Sequence, residues 1–310
     1  MIAGIDIGYG FTKVFERSQR FVVPSAVSAT ILDLCFGKNP DMVEVNGKKY
    51  SVGERVLNYK LQAEITVGDD FLLSDPYFAL LANALIKINM KIPDICIVGL
   101  PPAYYTKRTV QELKVKARNI LIRDMDGRVI RFPERISVLP QGYGIYLSHI
   151  EDHPEDFKKN ILTLDIGYNT LDVLFIRKEG DFDEKRAVSY PLGVLFLYEE
   201  AGRLFSRVYC SFPKGKESIE KLLRKGRFTH LGKEYTLDMK EVFAEYTKKV
   251  PGALKGFVRD INEEVDVVVV GKGGAEFLDT SEEGIYILDN PQMGNARGYY
   301  IYGEKVLSSY

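Results

Sequence analysis

Two aspartates each close an apolar run and open a glycine turn. Asp6 does so in Gly4-Ile5-Asp6-Ile7-Gly8-Tyr9-Gly10-Phe11-Thr12-Lys13-Val14, and Asp165 in Thr163-Leu164-Asp165-Ile166-Gly167-Tyr168-Asn169-Thr170-Leu171-Asp172-Val173. A carboxylate on a strand otherwise built for burial costs stability unless it is paired or faces a cation. Two at equivalent places predict one metal site between two halves of the molecule, with Asp6 and Asp165 holding the ion through its waters. Mg2+ suits that count, because it keeps several waters and takes one or two protein carboxylates when it also binds phosphate. The turns supply the phosphate chemistry, since consecutive backbone N–H groups in a glycine turn form a concave anion site. Gly8, Tyr9, Gly10 and Phe11 make the first such site, and Gly167, Tyr168, Asn169 and Thr170 the second. Thr12, Asn169 and Thr170 add side-chain donors, and Lys13 is placed to reach a β- or γ-phosphate. Asp172 is expected to point away from Asp165 and to matter much less. The alternative is two unrelated hairpins with solvated aspartates, and the match at Asp, Ile, Gly, Tyr and Val argues against it.

A third element lies further along: Val267-Val268-Val269-Val270 is a β-branched run that enters Gly271-Lys272-Gly273-Gly274-Ala275. Together the three resemble the phosphate 1, phosphate 2 and adenosine motifs of the actin, Hsp70 and sugar-kinase superfamily. Within it, the chain is most similar to the actin-like proteins of the plasmid-segregation ParM type. Four stretches carry that likeness: Phe21–Ser25, Val45–Glu54, Leu139–Gly144, and Asn290–Met293 leading to Ala296-Arg297-Gly298.

The resemblance implies an α/β, actin-like fold of duplicated ribonuclease H-like domains, two mixed-sheet halves flanking a nucleotide cleft, each with a small inserted subdomain. It implies ATP or ADP with Mg2+ as cofactors, with GTP as the other candidate triphosphate. Gly271, Gly273 and Gly274 would then face the adenosine, and Glu217 and Lys221 would flank the adenine and ribose, solvated charges being the plainer reading of both. Gln141 matches the place where actins carry the glutamine that positions the attacking water, so Gln141 and Asp165 are the catalytic candidates. A plain helix cap is the alternative role for Gln141. Tyr9 and Tyr168 stand where relatives often have small residues, so phosphate contact there would run through backbone N–H. Lys272 interrupts the glycines and either projects to solvent or lies along the ribose.

The elements that position these residues follow from periodicity. Strands are expected over Ile2–Ile7, Phe11–Phe15 and Arg20–Val23, with a hairpin turning on Asn46-Gly47 inside an inserted stretch from Pro24 to about Asp70. Asp75 is expected to cap a helix with Pro76 at its first position, running to Ile88. Ile95–Val98 reads as a strand, Thr106–Ile122 as a helix, Arg135–Val138 as a strand that Pro140 ends, and Gln141–His149 as a helix. The charged run Glu151–Lys159 reads as the crossover. After the second hairpin come a strand near Lys185–Tyr190, a helix Val194–Val208 with one apolar face, a second insertion over about 211–260 containing a helix Ser218–Arg224, and a strand Val265–Val270. The domains are therefore expected at 1–155 and 156–290, with 291–310 a helix returning to the first.

Composition narrows the function. The chain has 310 residues, 45% of them hydrophobic, enough for two cores at this length. Its 42 basic and 43 acidic residues are evenly mixed, which argues against direct nucleic-acid binding by bulk charge. Cys35, Cys96 and Cys210 are too scattered for a disulfide framework or zinc site, and His149, His153 and His230 have no ligand spacing. The chain reads as cytoplasmic, with a first strand that leaves no room for a signal peptide and no run long enough to span a membrane. Two functions fit. One is a filament-forming ATPase that polymerises with itself and meets DNA, if at all, through an adaptor protein, in plasmid segregation or a cytoskeletal role. The other is a small-molecule kinase of the same superfamily, which needs an acidic base where this chain has Gln141.

Overall fold

The doubled phrase folds as two equivalent hairpins, and the equivalence extends to the sheets around them. The structure, a computed structural model, describes residues 1–31, 41–64, 71–88, 93–133, 135–211, 216–271, 273–277 and 284–307. The first half begins with β1 (Ile2–Ile7), β2 (Phe11–Phe15) and β3 (Arg20–Pro24), then β4 (Val27–Ser28), β5 (Met42–Val45), β6 (Lys48–Val52), α1 (Glu54–Asn58) and α2 (Asp75–Lys87). It continues with β7 (Ile95–Leu100), α3 (Lys107–Asn119), β8 (Ile122–Arg123), β9 (Val129–Ile130), β10 (Arg135–Pro140) and α4 (Tyr143–Asp152). The second half has β11 (Ile161–Ile166), β12 (Leu171–Ile176), β13 (Phe182–Tyr190), α5 (Val194–Tyr209), α6 (Lys216–Lys225), β14 (Arg227–His230), β15 (Lys233–Thr236) and α7 (Lys240–Ile261). β16 (Val267–Gly271), β17 (Ile285–Ile287) and α8 (Gly294–Tyr302) close it.

The first sheet runs β3-β2-β1-β7-β10 and the second β13-β12-β11-β16-β17. In each, an antiparallel meander is extended by two parallel strands. β1, β7 and β11 are near-continuous apolar runs buried almost throughout, as strands covered on both faces require.

The halves exchange helices. α4 follows the last strand of the first sheet, yet Ile145 and Tyr146 pack with Ile161, Leu174, Val267 and Val269 of the second. α8 follows the second sheet and sets Ala296, Tyr299 and Tyr300 against Phe15, Ile95 and Ile97 of the first. The two helices cross at glycines: a Cβ on Gly298 would fall inside the Gly144 carbonyl group. Backbone meets backbone there, which only glycine allows.

Three local expectations are corrected. Ser74, not Asp75, caps α2, its hydroxyl accepting from Tyr77 N at 3.4 Å, while Asp75 accepts from the Asn46 amide at 2.9 Å. The helix expected to reach Ile122 ends at Asn119, because Ile122 is drawn into a strand opposite Val45. The first insertion is accordingly not confined to the stretch from Pro24 to Asp70: its sheet, β4-β6-β5-β8-β9, recruits residues 122–130. Residues 32–40 and 65–70 of that stretch lie outside the described residues. Thirdly, Pro140 is still in strand β10, Gln141 is in the turn after it, and α4 starts at Tyr143.

Candidate functional site

Strand register decides what surrounds each aspartate. Residues directly opposite in an antiparallel pair share a face, and the turn lengths set Asp6 opposite Lys13 and Asp165 opposite Asp172. Lys13 Nζ lies 2.9 Å from Asp6 Oδ2, and both side chains are buried. In the second half the same register puts a carboxylate where the first has an ammonium. Asp172 therefore does not point away from Asp165; it shares its face, is 1% exposed, and accepts from the Thr170 hydroxyl at 3.4 Å.

Each aspartate also has an amide partner from the turn or helix start that follows its own sheet. Gln141 Nε2 donates to Asp6 Oδ1 at 2.8 Å and to the Ile7 carbonyl at 3.3 Å. Asn295 Nδ2 donates to Asp165 Oδ2 at 2.5 Å, and its Oδ1 accepts from Gly142 N at 2.9 Å. Gln141 precedes Gly144 by three residues, and Asn295 precedes Gly298 by three. The duplication thus reaches the amides and the crossing glycines. Gln141 is not a helix cap, because Gly142 holds that position and makes no side-chain cap bond.

A cavity of about 920 Å3 opens between the halves. Both turns border it, through Gly8, Gly10, Gly167 and Thr170, and so do Lys13 and Gln141. Asp6 and Asp165, both 0% exposed, stand just behind the turns. The carbonyls of Gly167, Tyr168 and Asn169 accept from Val194, Leu195 and Gly193 at the start of α5. That keeps the second turn's oxygens on the helix side, away from an anion in the cavity. In the first half Thr12 is buried and bonded to Ser25 at 2.9 Å, so it is not a donor to the cavity. Gly10 and Tyr168 touch across the cleft: a Cβ on Gly10 would stand 3.0 Å from that of Tyr168.

At the far end the cavity is bordered by Gly273, Gly274, Tyr198 and Phe277. Glu220 and Arg224 of α6 face it, and Arg224 pairs with Glu220 at 3.1 Å and with Glu276 at 2.7 Å. Lys221 is exposed and is not among the bordering residues, nor are Asn169 and Gly271, while Glu217 and Lys272 lie outside the residues whose side chains are described. The acidic and basic residues of α6 that border the cavity, Glu220 and Arg224, each lie three residues beyond the expected Glu217 and Lys221.

The cavity suits a nucleotide in size and in the backbone turns at one end. Asp6 and Asp165 would hold Mg2+ only through its waters: among the described residues no three His, Cys, Asp or Glu side chains come together as a metal-binding group. Two buried carboxylates would suit a divalent cation that keeps most of its own water shell. Tyr299 sits among these carboxylates; burial first, then Asp6 and Asp165, push its hydroxyl well above the usual range, so it stays protonated. Sequence reasoning missed Asn295, Asp172, Glu220 and Arg224. Asn295, a buried amide in the quoted stretch that leads from Asn290–Met293 to Ala296-Arg297-Gly298, carried the one readable signal.

Two duplicated halves, each a five-stranded mixed sheet, closing on one cavity through paired glycine turns define the actin-like fold class. Residues 4–144 match the family model of the actin like proteins N terminal domain. Comparison with curated proteins returns no match. Among solved structures, a 15-stranded ParM filament from Clostridium botulinum aligns at TM-score 0.77 and 22% identity, covering 98% of this chain and 99% of that one. Ta0583, an archaeal actin homolog, aligns at TM-score 0.80 and 19% identity with the same 98% and 99% coverage, and it also matches in its complex with ADP. A MamK double helical filament aligns at TM-score 0.71 and 14% identity, again over 98% and 99% of the two chains. The chain has the actin-like fold over essentially its whole length.

Proposed function

We propose that this chain binds ATP with Mg2+ between its halves, hydrolyses it slowly, and assembles with itself into filaments. The observation that carries the reading is the convergence of both Asp-Ile-Gly-Tyr turns on one cavity, with Gln141 beside them. Residues 1–155 and 156–290 act as two domains that close on the nucleotide, and the segment from 291 ties them together. The structural neighbours include two filaments and one complex with ADP, which supports the same assignment.

The turns around Gly8 and Gly167 hold the phosphates by backbone N–H, and Lys13 adds a cation at the first turn. Asp6 and Asp165 would hold Mg2+ through its waters, and the ion would neutralise charge on the phosphates. Gln141 borders the cavity and is positioned by its bond to Asp6, which suits it to orienting a water; an amide cannot take the proton as a strong base. Phosphoryl transfer asks the protein chiefly for positioning and charge stabilisation, so a slow turnover follows. Glu220 and Arg224 flank the base. A link to DNA, in segregation or a cytoskeletal role, would run through an adaptor.

The test is sedimentation and phosphate release with the purified chain. Mg-ATP or a non-hydrolysable analogue is expected to give pelletable polymer above a critical concentration, and phosphate release should rise across the same threshold without an acceptor. A chain that stays monomeric and transfers phosphate to a sugar or carboxylate would overturn this reading in favour of a kinase.

A further inference from the structure

Among the described residues three cations border the cavity: Lys13, Arg224 and Lys60. Two of them are already engaged. Lys13 pairs with Asp6, and Arg224 with Glu220 and Glu276. Lys60 pairs with no carboxylate of the described residues. It comes from the first insertion, just past the end of α1. A run of backbone bonds fixes that insertion to the first turn. The Gly10 carbonyl accepts from Ser25 N at 3.0 Å, the Ala26 carbonyl from Gly53 N at 2.8 Å, and the Val27 carbonyl from Glu64 N at 2.7 Å. Three successive residues thus hold the turn on one side and both ends of the α1 segment on the other. Arg55 and Val56 bury that segment's inner face, and Leu57 borders the same cavity as Lys60.

The fold of α1 does not itself call for a lysine at this place. Lys60 has left-handed backbone, φ 50°, at a helix end where glycine or asparagine is favoured. Its charge is not needed to close the helix either, since the carbonyls of Arg55, Val56 and Leu57 accept from the backbone N–H groups of Tyr59, Leu61 and Lys60. An exposed ammonium at the rim of an anion-binding cavity is explained by the ligand it meets.

We propose that Lys60 binds the terminal phosphate of a nucleoside triphosphate held in the cavity. The proposal rests on the nucleotide reading above and names a residue that tells triphosphate from diphosphate. The base end is bordered by second-half elements, α5, α6 and the turn at Gly273–Phe277. A nucleotide with its base there meets the first half with its phosphates, and the terminal one reaches furthest. That group ionises twice near neutral pH, and Lys13, bonded to Asp6, offsets it only in part. A lysine ammonium meets phosphate as a compact point charge and a strong donor. The diphosphate lacks the group that Lys60 binds and is left to the turns and Lys13.

The test titrates the full chain with a non-hydrolysable ATP analogue and with ADP, each with Mg2+, by calorimetry at protein concentrations that give no sedimentable polymer. Asparagine suits the left-handed position, so Lys60→Asn should melt no lower than the parent. It should bind the analogue about tenfold more weakly, from the loss of one charge-assisted hydrogen bond, and ADP within about twofold of the parent. Lys60→Arg keeps the charge and should recover most of the analogue affinity. Unchanged analogue affinity in Lys60→Asn, or an equal loss for analogue and ADP, would overturn the role of Lys60 and leave the nucleotide site standing. Lys60→Arg as weak as Lys60→Asn would overturn it too. A parent that binds neither nucleotide would overturn both this role and the nucleotide reading.

Discussion

Gln141 and Asn295 perform one task in two copies: an amide that fixes one oxygen of the aspartate at its half's turn. Their consequences differ because only Gln141 borders the cavity. Gln141→Ala should keep ATP affinity and lose phosphate release by tenfold or more, measured in single turnover, if one transition-state interaction is removed. Gln141→Glu should unfold in less urea than the parent, since it sets a second buried carboxylate against Asp6. Asn295→Ala should instead weaken Mg-ATP binding by titration calorimetry, because Asp165 loses the group that orients it. Equal affinity in Asn295→Ala and the parent would remove Asn295 from the site. Asp6, Asp165 and Gln141 were legible in the sequence as polar residues inside or just after apolar runs. Asp172 was misread because alternation within one strand does not fix which residue it faces; the turn length does, through the register. On α6 the cavity is bordered by Glu220 and Arg224, about one turn beyond the expected Glu217 and Lys221, because a pattern that gives the face of a helix does not give how far along it the cavity reaches.

At the scale of elements, long periodic segments were legible and contingent ones were not. The Asn46-Gly47 hairpin follows from its turn residues. β8 and β9 do not, at two residues each: they exist because β5 offers an edge, a partner some 80 residues away in sequence that no local pattern reveals. The helix crossing is a similar case, with glycines that look like helix weaknesses until two backbones are seen to meet. Gly298→Ala should cost about 1–3 kcal/mol in urea unfolding, through overpacking against Gly144. Gly256→Ala, in the middle of α7 with nothing within 4 Å, should gain about 0.5–1 kcal/mol as a better helix former. Similar effects at both sites would show that α4 and α8 do not cross in backbone contact.

For the whole molecule the controlling feature is the crossover from α4 to β11, since α4 leaves one sheet and packs on the other. Its end is held by buried polar groups: His149 Nε2 donates to Asp156 Oδ2 at 2.7 Å, and Lys159 binds the other oxygen at 2.7 Å. Burial lowers the His149 imidazole below its usual value of 6.5, outweighing the nearby carboxylates. For Asp156 burial acts upward, yet the bonds from Lys159 and His149 win and lower its carboxyl below 3.8. Both shifts have the same sign for stability. As pH falls through 6.5 the unfolded chain takes up a proton that folded His149 resists, so stability is full above that value and declines below it. Asp156 adds a second loss only near and below pH 3.8. The decline between pH 7 and 5 should therefore carry the signature of His149. Its slope should approach, at most, about 1.4 kcal/mol per pH unit. His149→Gln cannot titrate and can still donate to Asp156, so its urea-unfolding stability should be flatter across that window while its loss near pH 3.8 persists. The same slope in His149→Gln as in the parent would place the acid sensitivity elsewhere than at the crossover between the halves.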